Sequence, residues 1–82
     1  MRIVWDEPKR LANIEKHGLD FADLTFDFLS DAYVDRARTG RLQAIGMLDG
    51  RAIVVIFAFL GMEGCSIVSM RPASRKERRQ VP

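Results

Sequence analysis

The sequence predicts an α+β fold of order β-α-α-β-β-β-α, with two helices and a short C-terminal helix packed on a mainly antiparallel sheet. Three observations carry this expectation. Apolar residues follow a helical period up to residue 31 and a period of two from residue 32 onward. Asp49-Gly50 stands between two apolar runs, the pattern of a two-residue hairpin. A third apolar run, Cys65 to Met70, leads through a short turn into a basic helix opening at Ser74. At 82 residues the chain makes one small domain, and a domain of that size buries only about 60% of its unfolded surface.

Arg2-Ile-Val-Trp5 is β-prone and makes the first strand. Asp6 suits a helix N-cap, Glu7 adds negative charge to the first turn, and Pro8 is tolerated there because its missing N–H has no partner anyway. Leu11, Ile14 and Ala12 supply a narrow apolar stripe, and Gly18 closes this first helix after His17. A second helix is expected from Asp20 to Asp31, with Asp23 at the capping-box position and Leu19 stapled on Leu24. Its buried face is Phe21, Leu24, Phe28 and Leu29. Strands follow at Ala32–Ala37, Leu42–Leu48, Arg51–Phe59 and Cys65–Met70, with turns at Thr39-Gly40 and Gly61–Gly64. The run from Ile53 to Phe59 is continuous rather than alternating, as in a central strand covered on both faces.

Composition sets the class. The chain is 48% hydrophobic and 29% charged, as in an ordinary soluble domain. Its single cysteine cannot close an internal disulfide, so a reducing cytoplasm fits, and no Cys/His set has zinc-ligand spacing. The N-terminal run is not that of a signal peptide. The longest apolar stretch, Ala52 to Leu60, is nine residues, against the roughly 20 of a spanning helix, so no membrane is expected. The net charge of +2 conceals an asymmetry: residues 1–50 hold seven Lys/Arg against nine Asp/Glu, and residues 51–82 hold six against two. Arg71, Arg75, Lys76, Arg78 and Arg79 place five cations in nine residues. Such a cluster seeks an acidic partner, nucleic acid or protein.

The opening Trp5-Asp-Glu-Pro-Lys9, then Asn13 and Lys16-His-Gly18, resemble the BrnT family, as do Ile67-Val-Ser-Met-Arg71 and Ala73-Ser-Arg-Lys-Glu-Arg78 near the end. The resemblance spans nearly the whole chain. It implies a RelE-like fold and a ribonuclease toxin of a type II toxin–antitoxin pair that cleaves RNA and inhibits translation. It also implies no cofactor, and a hetero-oligomer with a cognate antitoxin carrying a ribbon-helix-helix DNA-binding domain.

RNA cleavage without a metal needs a base for the 2′-OH, cations for the charge on the phosphate, and an acid for the leaving 5′ oxygen. Arg71, at a strand end, and Arg78 suit the phosphate, since a guanidinium binds it with two parallel hydrogen bonds. Glu77 is the candidate base; equally, Ser74-x-x-Glu77 is a capping box in which Glu77 serves the helix. His17 is the only histidine, and imidazole is the side chain suited to moving protons near neutrality; at a helix C-terminus it also serves as a cation favoured by the macrodipole, as does Lys16. Lys16, Arg75, Lys76 and Arg79 are the expected RNA contacts. Trp5, Met47, Met62, Met70 and Cys65 read as packing residues.

Two further readings remain open on these residues. One is a catalytically inactive module of the same fold that binds a DNA-binding antitoxin. The other is a non-enzymatic nucleic-acid-binding domain, less suited because no aromatics interleave with the basic run.

Overall fold

The computed structural model describes residues 2–82. Strand β1 (Arg2–Trp5) leads into helix α1 (Glu7–His17). A single 3₁₀ turn at Phe21–Asp23 precedes α2 (Phe26–Asp31). Strands β2 (Tyr33–Arg36), β3 (Leu42–Leu48), β4 (Arg51–Leu60) and β5 (Gly64–Pro72) follow, and α3 (Arg75–Arg78) comes last. The expected α+β fold is present; the observed order is β-α-α-β-β-β-β-α, one strand more than the expected β-α-α-β-β-β-α, because all four runs read as strands after the helices join the sheet.

The five strands lie in the order β1-β5-β4-β3-β2. The pairs β2–β3, β3–β4 and β4–β5 are antiparallel, whereas β1 runs parallel to β5 with Arg2 opposite Gly64. At that last pair the backbones approach so closely that a Cβ on Gly64 would lie 2.9 Å from the Arg2 carbonyl oxygen; only glycine fits. The Asp49-Gly50 turn behaves as read, both residues having positive φ (50° and 78°), the mirror-image turn whose twist matches paired strands.

The core lies between the two helices and one face of the sheet. Ile53, Val55 and Phe57 of β4, with Ala44 of β3 and Cys65, Ile67 and Met70 of β5, meet Leu19, Phe21, Leu24 and Phe28. On the other face Ile45 and Val54 are buried, while Ile56 and Ala58 are half-buried. The continuous apolar run of β4 therefore reflects burial on both sides only at its centre; Phe59 and Leu60 are exposed.

Several expectations are corrected. The second helix is two elements. The Asp20 carboxylate accepts the Ala22 N–H at 2.9 Å, and the Thr25 hydroxyl accepts that of Phe28 at 3.1 Å. Two caps five residues apart start two separate turns, with Leu24 extended between them (φ −71°, ψ 138°). Phe21, Leu24 and Phe28 are nevertheless all buried. On α1 the expected stripe fails: Leu11 is 54% exposed and the buried residue is Asn13, because a hydrogen-bond clamp rather than an apolar ridge docks this helix. Met47 lies on the open sheet face and Met62 at a turn tip, 96% exposed, so of the three methionines only Met70 packs.

Candidate active site

Helix α1 is short and closed sharply. Gly18 (φ 69°) donates its N–H to the Ile14 carbonyl at 2.7 Å, leaving Lys16 and His17 in the last turn, where the helix dipole favours cations. Lys9, Ala12, Asn13 and Lys16, spaced i, i+3, i+4 and i+7, share one side of the helix. That side, with His17, lines an open depression whose other wall is Val68, Ser69 and Arg71 of β5.

The sheet's irregularity makes room for this. Ile56 pairs with Ser69 and Phe57 with Ile67, so Val68 is an extra residue in β5. Such a bulge bends a strand and re-aims its side chains. Strand β1 ends at Trp5 opposite Ile67, so from Val68 onward the β5 edge has no strand neighbour on that side. The Asn13 side chain takes the place of one. Its Oδ1 accepts the Met70 N–H at 3.1 Å, and its Nδ2 donates to the Leu19 carbonyl at 3.0 Å. A second tie holds the start of the helix to the loop after it: Arg10 binds Glu7 at 2.7 Å and both Asp20 carboxylate oxygens at 3.0 Å.

Arg71 and Glu77 form a fork. Nη1 donates to Oε1 and Nη2 to Oε2, each at 2.7 Å. Oε1 also accepts the Ser74 N–H at 2.8 Å, and the Glu77 N–H donates to Ser74 Oγ at 3.1 Å, so the capping box is complete. The guanidinium hydrogen bonds hold the Glu77 carboxyl down at about 2, and the same contact raises Arg71. Arg71 keeps 39% of its side chain exposed, so one side of the fork is open to a ligand.

This pair has a pH signature. Glu77 titrates at about 2 in the folded chain, against an ordinary 4.5. The stability it contributes is therefore present above about pH 4.5 and is lost as pH falls toward 2. Glu77→Gln keeps a capping-box side chain but no charge. In urea titrations the stability gap between wild type and Glu77→Gln is expected to shrink steadily over that window. A gap that stays constant would refute the linkage.

Of the residues singled out from the sequence, Arg71, Lys16 and His17 line one depression, and Glu77 joins it through Arg71. Arg75, Lys76, Arg78 and Arg79 lie on and just after α3 and do not line it. Lys9 does line it and went unread; its i, i+7 spacing from Lys16 was the available signal. Cys65 is fully buried and burial pushes its thiol up, as expected of a packing residue. Among the described residues no three of His, Cys, Asp and Glu come together as a metal-binding group, and no helix is long and apolar enough to cross a membrane.

Comparison with known proteins gives a consistent result. The family model described as the ribonuclease toxin BrnT of type II toxin–antitoxin systems matches residues 5–77. The 1.1 Å crystal structure of the Brucella abortus ribonuclease toxin BrnT is 54% identical, superposes with a TM-score of 0.86, and the match covers 92% of this chain and 99% of that one. No curated protein sequence gives a significant match.

Proposed function

The chain belongs to the BrnT family of ribonuclease toxins of type II toxin–antitoxin systems, and from that premise we propose that it cleaves RNA without a metal in the depression between α1 and β5. The observation that carries this reading is the joint lining of that depression by Lys9, Lys16, His17 and Arg71. Three cations converge where a phosphate would sit, beside the His17 imidazole, a side chain with a nitrogen donor and a nitrogen acceptor for proton transfer.

In this reading the scissile phosphate lies against the open side of Arg71, which binds two of its oxygens as a fork, while Lys9 and Lys16 neutralise charge from the opposite wall. The ribose 2′ oxygen forms a bond to phosphorus and the bond from phosphorus to the 5′ oxygen breaks. One proton leaves the 2′-OH and one is delivered to the 5′ oxygen; His17 transfers one of them and solvent water exchanges the other. Glu77 positions Arg71. A carboxylate held at about 2 and bound to a guanidinium and to a backbone N–H is too weak a base to take a proton efficiently near neutral pH. Arg75, Lys76, Arg78 and Arg79 contribute to RNA attraction from outside the depression. The antitoxin is a protein with a ribbon-helix-helix DNA-binding domain, as the family resemblance implies. The cytoplasm is the compartment, where a free buried cysteine remains reduced.

Expression of the wild-type chain alone in a bacterium is expected to arrest growth and leave RNA fragments ending in 2′,3′-cyclic phosphates. Purified protein should cleave RNA equally in the presence of a chelator, and His17→Gln should slow cleavage by about 10²–10⁴. Cleavage abolished by the chelator would overturn metal independence. Intact RNA from soluble, folded wild-type protein would instead leave an inactive antitoxin-binding module.

A further inference from the structure

A second group of cations lies away from the C-terminal helix. Arg36 ends β2, and Arg38 and Arg41 flank the turn that joins it to β3; all three are exposed. The turn is tight. The Arg41 N–H donates to the Arg38 carbonyl at 3.2 Å, and the Ala37 N–H to the Arg41 carbonyl at 2.8 Å. Thr39 and Gly40 both have positive φ (56° and 73°), a strained conformation for a β-branched residue. The ion pairs among the described residues join Arg10 to Glu7 and Asp20, and Arg71 to Glu77. None involves Arg36, Arg38 or Arg41. Three like charges are thus held close together by a strained turn, none of them in an ion pair among the described residues, and they line one depression with Gln43 and Ile56. The neighbouring carboxylate, Asp35, accepts the Arg36 backbone N–H at 2.7 Å rather than a guanidinium.

Paired strand residues connect that depression to the first. Gln43 of β3 pairs with Ile56 of β4, and Ile56 pairs with Ser69 of β5. Paired residues share a face, and Ser69 lines the depression that holds Lys16, His17 and Arg71. The two sites are therefore joined by a strip two strand spacings wide, about 10 Å. The residues of the strip carry no charge. We infer that Arg36, Arg38 and Arg41 form a second phosphate-binding site, which holds the single-stranded RNA that runs on from the cleavage depression across the open sheet face. Cations at each end with a neutral strip between them suit a chain whose charges lie on its backbone and whose bases are neutral. The Gln43 amide and Ser69 hydroxyl can meet base edges, while the guanidinium groups fix the backbone. This inference rests on the ribonuclease reading above.

The test is binding of a 2′-O-methyl RNA of about 12 nucleotides, a length in the usual range of single-strand sites, whose blocked 2′ oxygens prevent cleavage. Arg38→Gln/Arg41→Gln is expected to weaken binding at least tenfold. The slope of log K against log salt should become shallower by about 1.4, or about 0.7 for each phosphate that is no longer neutralised. Arg38→Lys/Arg41→Lys should keep the wild-type slope, which separates charge from any change of fold. Unchanged affinity and slope in the glutamine pair, from wild-type protein that cleaves RNA normally, would overturn this inference alone. Loss of antitoxin binding with RNA binding intact would overturn it in favour of an acidic protein segment. Wild-type protein that neither binds nor cleaves RNA would overturn it together with the ribonuclease reading.

Discussion

Arg71→Ala is expected to abolish growth arrest and to lower RNA cleavage by about 10²–10³, the usual loss on removing a positioned donor from a transition state, while leaving the chain folded. The fold survives loss of the guanidinium, which removes only the contribution of the surface pair with Glu77: Met70, the neighbour facing the core, is fully buried, whereas Arg71 points to the opposite face and is 39% exposed. Its partner Glu77 retains its bonds to Ser74 when Arg71 is removed, so α3 keeps its cap. Arg71→Lys separates charge from geometry. Lysine restores the positive charge but not the fork, and most of the loss is expected to remain. Circular dichroism and thermal melting accompany the kinetic assay. An unfolded alanine variant, or a folded one that cleaves as well as wild type, would remove Arg71 from the site.

Asn13→Ala is expected to be the most destabilising substitution on α1, costing about 2–6 kcal/mol. The side chain is 7% exposed and satisfies two backbone groups from different parts of the chain, the Met70 N–H and the Leu19 carbonyl. Removing it leaves both without a partner, at about 1–3 kcal/mol for each buried group. For a domain of this size each kcal/mol lowers Tm by about 4–8 °C, so a drop of about 10 °C or more should be seen. Asn13→Asp is a sharper probe. It can still accept from Met70, but at neutral pH it sets a carboxylate against the Leu19 carbonyl. The deficit should narrow on acidification, as the carboxyl gains a proton to donate. A melt within about 2–3 °C of wild type for Asn13→Ala would show that α1 is held by other interactions.

The parts of this molecule that were legible in its sequence rest on local chemistry. Asp49-Gly50 marks its hairpin because few residues tolerate two successive positive φ angles, and Ser74 with Glu77 marks its cap because the two side chains need only each other's backbone. What stayed hidden depends on distant partners. Asn13 looks like one more polar residue on a helix surface until Met70 and Leu19 are placed against it. Thr25 reads as a helix interior residue until its hydroxyl is seen to cap a new helix. The cations Arg36, Arg38 and Arg41 were masked in the charge sum of residues 1–50 by nine acids. Two of those, Glu7 and Asp20, are occupied with Arg10. Of the site, Arg71, Lys16 and His17 were legible as chemistry, but their convergence needed the β5 bulge and the early end of β1.

The parallel pairing of β1 with β5 also sets a clock. Arg2 waits for Gly64, and Asn13 for an amide 57 positions later, so neither pairing can form until Gly64 and Met70 have emerged from the ribosome. Distant pairings of this kind close late and slowly. Lys9, Lys16 and His17 are synthesised early but have no opposite wall until Arg71 follows. The depression proposed for cleavage is therefore complete only once Arg71 has left the ribosome. Ribosome-stalled chains ending before Gly64 should accordingly be cut by protease throughout, and protection of such chains would contradict this order of assembly.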